Sequence, residues 1–136
     1  TNPQNVGMIL RSAAAGGVDG VIIPKQGCAR LDSLVIKASA GTFFRAPIYL
    51  CDNLPSTLKK LASNGMQICL MTADAKQTLF TYKVDQSCIF VLGNETEGVS
   101  KDIRALPHKA ISIPMHNGVE SLNVAMTATL IAYHNE

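Results

Sequence analysis

Two short runs of the chain are apolar at every position, and they restrict its possible folds more than any other feature. They are Ile68-Cys69-Leu70-Met71 and Cys88-Ile89-Phe90-Val91-Leu92. A strand with one face in water alternates apolar and polar residues, whereas a strand buried on both faces is apolar throughout. The two runs therefore predict strands of a parallel sheet that is covered by helices.

Similar apolar runs alternate with helical patterns along the rest of the chain. Strands are predicted at residues 20–24, 47–51, 67–72, 87–93 and 110–113, and helices at 6–15, 31–39, 54–64, 76–82, 101–106 and 121–134. This repeated β-α order is typical of an α/β fold with a mostly parallel sheet and helices on both faces. The length predicts one such domain, spanning residues 1–136.

The chain begins on a predicted turn. Asn2 precedes Pro3 and is therefore disfavoured in a helix, so residues 1–5 are expected to lead into the first helix as a turn. An α/β domain that starts in this way is unusual. We therefore expect a first strand, and an N-terminal module, to precede these residues.

The amino-acid composition indicates what kinds of partner the chain can have. Apolar residues make up 47% of the chain and charged residues only 16%, which favours a homodimer or other homo-oligomer with a buried interface. The last helix carries a small-residue face suited either to such an interface or to the core, formed by Ala125, Ala128 and Ala132. A net charge of +2 without a dense Lys/Arg stripe neither requires nor excludes a nucleic acid.

The four cysteines bear on metal binding and compartment. Cys28, Cys51, Cys69 and Cys88 form no C-x-x-C pair and have no histidine at metal-ligand spacing. They are predicted to be free buried thiols, with no metal site and no disulfide framework. Reduced thiols fit a cytoplasmic protein. No apolar run reaches membrane-spanning length and no signal-peptide pattern is present, so we expect no membrane partner.

Ligands of open parallel sheets bind outside the carboxyl ends of the strands, which selects the loops at residues 72–74, 93–98 and 114–121. Neither G-x-G-x-x-G nor G-x-x-x-x-G-K-[ST] occurs, which argues against a nucleotide-binding reductase and against a triphosphate site. We expect no special role for four titratable residues, which should be exposed side chains in loops or at helix ends: Asp74, His108, His116 and His134.

The pattern of residues 114–121 predicts the end of a strand, then a turn, then the start of a helix. Pro114 stops the strand, and His116-Asn117-Gly118 supplies residues that tolerate positive φ. Ser121 is expected to open the helix, and Ser121 or Asn123 can cap its free N–H groups. The helix end would favour an anionic ligand group, although an ordinary capped connection would have the same pattern.

Two further stretches are candidates for chemistry. Glu95 lies between Gly93 and Gly98 beyond the most apolar strand, where it could meet a cationic ligand or an arginine, or be a solvated loop carboxylate. Arg11 interrupts an otherwise apolar helix, so it either faces an anion or lies on the exposed face of the helix. Arg45 follows two phenylalanines and is a candidate RNA contact.

Together these stretches resemble three motifs of one family. They read N-x-G-x-x-x-R at residues 5–11, G-x-E-x-x-G at 93–98 and I-P-M-x-x-x-x-x-S-L-N-V at 113–124. In order and spacing they are similar to the SpoU-type (TrmH-like) RNA ribose 2′-O-methyltransferases of the SPOUT superfamily. The resemblance covers essentially the whole chain.

The resemblance implies a C-terminal deep trefoil knot that holds S-adenosylmethionine, and an obligate homodimer with its active site at the interface. It also implies that the family's first strand, and often an RNA-binding extension, precede Asn2. Cofactor-binding positions implied by the motifs are Thr72, Gly93, Ile113, Met115 and Leu122. Catalytic positions implied by the motifs are Asn5, Arg11, Glu95, Ser121 and Asn123.

The activity implied is methyl transfer from S-adenosylmethionine to the 2′-hydroxyl of a ribose in structured RNA, rRNA in preference to tRNA. Arg11 is the residue that the family favours for activating the hydroxyl, although a guanidinium is not normally deprotonated in proteins. The alternative is a non-catalytic RNA-binding or dimerisation module of the same fold. The joint presence of the catalytic-motif residues favours the enzyme, because a degenerate module is expected to lose some of them.

Overall fold

A computed structural model of the chain describes residues 3–25, 47–93 and 98–134. The elements, numbered here in chain order, are α1 (Pro3–Ala15), β1 (Val21–Pro24), β2 (Ile48–Cys51), α2 (Leu54–Ser63), β3 (Gln67–Met71), β4 (Cys88–Val91), α3 (Lys101–Arg104), β5 (Lys109–Ile111) and α4 (Val124–Ala132). Outside the described residues lie Cys28, Arg45, Glu95 and the predicted helix at 31–39. The chain divides into two compact units, Thr1–Asn53 with Asn123–Glu136, and Leu54–Leu122.

The first unit pairs two parallel strands and packs a helix on them. Val21 of β1 lies opposite Ile48 of β2 in the parallel register. Val6 and Leu10 of α1 are buried against Ile23 of β1, which forms a small apolar core. The helix begins at Pro3, so the turn predicted for residues 1–5 is wrong from that residue onward. Proline suits the first helical turn, where its missing N–H would have no intrahelical partner.

In the same unit α1 packs closely against α4. The Ser12 and Thr129 hydroxyl oxygens lie 2.6 Å apart and share a hydrogen bond. A Cβ added at Gly16 would lie 2.7 Å from the Cβ of Ala132, so only glycine allows this approach of the two helices. The small-residue face of α4 is therefore used within one chain, at least at its C-terminal end.

The second unit contains a three-stranded sheet in the order β4-β3-β5, with both pairings parallel. Three successive residues of β3 are almost completely buried, with Ile68 1% and Cys69 and Leu70 0% exposed. Leu58 of α2 and Ile103 of α3 join Ile68 and Leu70 in one apolar cluster. The α/β class, the parallel strands and the two-sided burial of the central strand are thus confirmed.

Two predicted helices differ from the structure. Residues 76–82, predicted as a helix, form a turn that pairs with the end of β5 through a parallel bridge between Thr78 and Ser112. The Ser112 N–H donates to the Gln77 carbonyl at 2.9 Å, and the Leu79 N–H donates to the Ser112 carbonyl at 2.8 Å. These hydrogen bonds replace the intrahelical ones. The final helix begins at Val124 and not at Ser121.

Tyr82, at the end of that turn, is buried with Cys69 and lies near the half-buried Cys88. The Cys69 thiol donates a hydrogen bond to the Tyr82 hydroxyl at 3.7 Å, and the Lys109 Nζ lies 5.4 Å from the centre of the Tyr82 ring. Burial raises the pKa of the Cys69 thiol and of the Tyr82 phenol. Burial, reinforced by the neighbouring Cys69, raises the pKa of the Cys88 thiol from 9.0 to about 11. All three groups are therefore held in their neutral forms.

The raised pKa of Cys88 predicts loss of stability at alkaline pH. The folded protein holds the thiol proton more tightly than the unfolded chain does, so the free energy of unfolding should fall as pH rises from 9.0 through about 11. Urea denaturation at pH values across this range measures the effect. The variant Cys88→Ala should show a shallower decline. An identical pH dependence in the variant would contradict this assignment.

Candidate functional site

Asn5 and Asn123, which come from the first and third motifs, meet in the first unit. The Asn123 Nδ2 donates to the Asn5 Oδ1 at 3.2 Å, and the Asn123 Oδ1 accepts from the Ala125 N–H at 2.7 Å. The second bond caps α4, as one of the two predicted alternatives had it. Because both ends of the Asn123 amide are engaged, its orientation is fixed. Asn5 is only 7% exposed, so the hydrogen-bonded pair is held in the protein interior at its Asn5 end.

Arg11 lies on α1 with Asn5, but it is exposed to solvent. The apolar residues around it in the sequence therefore do not bury it, and Arg11 lies on the exposed face of the helix. Met8, one turn earlier on the same face, is 40% exposed. The guanidinium is thus accessible to a partner from outside this chain.

The loop that carries the rest of the third motif lies in the second unit. Asn117 and Gly118 both adopt the left-handed conformation, with φ values of 59° and 77°, as the sequence predicts. Ile113, Met115 and Leu122 are half-buried and Ser121 is exposed. The loop therefore combines partly covered apolar side chains with an accessible hydroxyl.

Thr72, the first predicted cofactor position, follows the buried strand β3. Its N–H donates to the Ile111 carbonyl at 2.9 Å. Its hydroxyl oxygen is buried and has no hydrogen-bond partner among the residues that the structure describes. Such a group costs free energy unless water or a ligand satisfies it. Thr72 therefore offers a polar contact to a bound molecule.

A cavity of about 470 Å³ lies beside Thr72 in the second unit. This volume is within the range of ligand pockets. Ala73 and Asp74 line it next to Thr72, and Gly98, Arg104 and His108 line it from the segment after β4. Asp74 lies in one of the three loops that the sequence indicated for ligand binding. Nevertheless, both Asp74 and His108 were expected to be ordinary exposed side chains. Arg104 carried no sequence signal, because it sits in a short helix without a motif.

Gly93, the second predicted cofactor position, makes room for the chain itself. A Cβ at this position would lie 2.7 Å from the Gly98 carbonyl carbon and 2.9 Å from the Val99 nitrogen. Both contacts are with backbone, which cannot easily move away. The missing side chain is therefore needed for the approach of Gly98, which lines the cavity.

Ser112, which the sequence analysis missed, holds the loop after β3 in place. It is 6% exposed, and its hydroxyl donates to the Ala75 carbonyl at 2.9 Å and approaches the Gln77 carbonyl at 3.3 Å. With the Thr72 to Ile111 hydrogen bond, these contacts tie both ends of residues 72–77 to the end of β5. The one feature of the sequence that could have indicated this role is a single serine between two apolar residues, Ile111 and Ile113.

The structure thus brings together Asn5 and Asn123 in one unit, and Thr72, Gly98 and the cavity in the other. Gly93 reaches the cavity lining through Gly98, whereas Ile113, Met115 and Leu122 are not among the residues that line it. Across residues 3–25, 47–93 and 98–134, no three His, Cys, Asp or Glu side chains group as a metal site would. No helix in these ranges is long and apolar enough to cross a bilayer.

A family model described as the SpoU rRNA Methylase family matches residues 1–133. A protein of Staphylococcus aureus (strain COL), whose name places it in the TrmH family of tRNA/rRNA methyltransferases, is 37% identical over 132 residues, covering 97% of this chain and 53% of its own length. The chain therefore spans about half the length of the curated relatives it matches.

The chain is also similar in structure to solved methyltransferases. The SpoU methyltransferase AviRb from Streptomyces viridochromogenes, in complex with the cofactor AdoMet, superposes with a TM-score of 0.88 at 28% identity, covering 98% of this chain and 55% of that one. An RNA 2′-O ribose methyltransferase superposes with a TM-score of 0.84 at 26% identity, covering 98% of this chain and 51% of that one.

Proposed function

The chain belongs to the SpoU rRNA methylase family, and on that premise we propose that it is the catalytic domain of an RNA methyltransferase that uses S-adenosylmethionine. We further propose that the acceptor is the 2′-hydroxyl of a ribose in structured RNA. A similar structure named as an RNA 2′-O ribose methyltransferase supports this acceptor. The description of the family supports rRNA in preference to tRNA.

The observation that carries the proposal is the hydrogen bond between Asn5 and Asn123. These residues lie 118 positions apart and belong to the first and third motifs. A neutral amide pair of fixed orientation can position a hydroxyl group without competing with it for a proton. A displacement at carbon depends on alignment of the reacting atoms, which can lower the barrier by up to about 7–11 kcal/mol in favourable systems.

The remaining catalytic-motif residues take complementary roles in the proposal. The Arg11 guanidinium, which is exposed, orients an RNA phosphate or stabilises the negative charge that develops on the ribose oxygen. We do not assign it the role of base, because a guanidinium is not normally deprotonated in proteins. Ser121 hydrogen-bonds to the ribose, and Glu95 orients a cationic group.

S-adenosylmethionine, when bound, supplies a methyl group activated by a sulfonium charge. Among this chain's residues, Thr72 fits such a ligand, because its buried hydroxyl lacks a partner in the described residues. In the proposal its Oγ1 binds a polar group of the cofactor. Ile113, Met115 and Leu122, which are half-buried, flank the adenine, and Gly93 keeps the backbone of Gly98 in position.

We also propose that two chains form a homodimer. The α4 sequence contains no charged residue, yet Met126 is 60% and the adjoining Tyr133 47% exposed. Exposed Met and Tyr side chains on so apolar a helix are usually covered by a partner, so we assign a second chain to this face. Free thiols at Cys51, Cys69 and Cys88 support a reducing compartment, which we take to be the cytoplasm.

Isothermal titration and a transfer assay test the function. The purified protein should bind S-adenosylmethionine and should transfer its labelled methyl group to RNA, and alkaline hydrolysis should leave the labelled linkage intact because a 2′-O-methyl group blocks cleavage. RNA binding without cofactor binding would favour the non-catalytic module instead. Light scattering that shows only a monomer at micromolar concentration would contradict the dimer.

A further inference from the structure

Phe80 is an exposed aromatic ring on a turn that is otherwise anchored in the core. The ring is 63% exposed, whereas Leu79 beside it is 0% and Tyr82 6% exposed. The buried neighbours anchor the turn on both sides of the ring. A ring held in solvent on an anchored turn offers its face to a stacking partner.

The turn that carries Phe80 is strongly braced. Thr78 and Thr81 share a hydrogen bond between their hydroxyls at 3.0 Å, and the Gln77 side chain donates to the Thr81 hydroxyl at 2.8 Å. The Tyr82 N–H donates to the Thr78 carbonyl at 3.0 Å, and Ser112 ties the start of the turn to β5. A ring presented on such a rigid support loses little conformational entropy when it binds.

The residues that flank Phe80 in sequence are mostly polar and include cations. Along the segment the exposed side chains near Phe80 are Lys76, Gln77, Thr81 and Lys83. Lys109 is also exposed, and its Nζ contacts the Tyr82 ring. Together with Lys76 and Lys83 this gives three lysines, compared with two aspartates, Asp74 and Asp85. The excess of one positive charge is small, but both lysines of the segment lie closer to Phe80 in sequence than either aspartate.

We propose that Phe80 stacks on an unpaired base of the RNA substrate, while Lys76 and Lys83 contact the adjoining phosphates. Proteins bind single-stranded RNA by this combination of an aromatic platform and neighbouring cations. A second copy of the chain fits less well, because lysine is depleted in the cores of protein interfaces and no continuous apolar run surrounds the ring on its segment. The inference rests on the proposed function, since it names where that RNA is held.

Fluorescence anisotropy with a short labelled oligoadenylate tests the stacking. Phe80→Ala should raise the Kd by roughly 5- to 150-fold, the range expected for loss of one base–aromatic stack. It should leave the dependence of affinity on salt unchanged. Phe80→Trp should keep the affinity, and Lys83→Gln should lower the slope of log K against log salt by about 0.7. Tyr49→Ala, which removes a ring that is 59% exposed in the other unit, is the matched control.

Equal Kd values for Phe80→Ala and the unchanged protein would overturn the proposal, as would failure of the unchanged protein to bind the oligonucleotide. A change of molecular mass in Phe80→Ala by light scattering would assign the ring to a contact between copies instead. Cofactor binding and methyl transfer by the unchanged protein are measured in parallel. If these fail, the proposed function fails; if they succeed and Phe80→Ala binds RNA normally, only the stacking inference fails.

Discussion

Arg11→Ala should reduce methyl transfer to RNA by about 10²–10³-fold or more, while binding of S-adenosylmethionine stays nearly unchanged. Removal of a group that stabilises developing charge commonly has an effect of this size. Arg11 is exposed on α1, so its loss should disturb neither the Leu10 core nor the contact of α1 with α4. The free energy of unfolding should change by no more than about 0.5 kcal/mol.

Two further variants sharpen this result. Arg11→Lys keeps the charge but loses the planar fork, so partial activity would indicate a simple electrostatic role and inactivity a bidentate contact. Lys25→Ala is the matched control, because Lys25 is also an exposed cation of the first unit and its 3.1 Å ion pair with Asp52 is worth little at the surface. An equal loss of cofactor binding and methyl transfer in Arg11→Ala would rule out the role proposed for this residue.

The strands could be predicted because burial on both faces leaves a direct mark in the sequence. The run at 67–72 corresponds to β3 at Gln67–Met71, and its centre is almost completely buried. The turn at residues 76–82 could not be predicted, because its hydrogen bonds come from Ser112, far along the chain. Local helix propensity carries no information about such a partner.

The site divides in the same way. The cap on α4 and the left-handed Asn117-Gly118 turn are local features, and both were within reach of the sequence. The contact of Asn5 with Asn123 joins the two ends of the chain, and only the family resemblance linked them in advance. The exposed position of Arg11 was one of two alternatives that the sequence left open, and the structure decides it because the apolar residues beside Arg11 in sequence lie on other faces of the helix.

Gly93→Ala should damage both stability and cofactor binding through a steric effect alone. Gly93 is not among the described glycines with positive φ, so alanine can adopt its backbone conformation. The new methyl group would nevertheless lie within 3.0 Å of the Gly98 and Val99 backbone. Overpacking of this kind typically costs about 1–3 kcal/mol. Denaturation in urea measures the loss.

The effect on binding follows from the position of Gly98, which lines the same cavity as Thr72. If Gly98 is displaced, the Kd for S-adenosylmethionine should rise by at least about tenfold, equivalent to about 1.4 kcal/mol. Gly65→Ala is the control: it lies in the same unit with φ +93° and no atom within 4 Å of the added Cβ. It should lower stability through backbone strain of about 1–2 kcal/mol without changing the Kd. If both variants lose stability and neither loses cofactor affinity, the cofactor does not depend on the Gly93–Gly98 contact, and Gly93 is purely a packing residue.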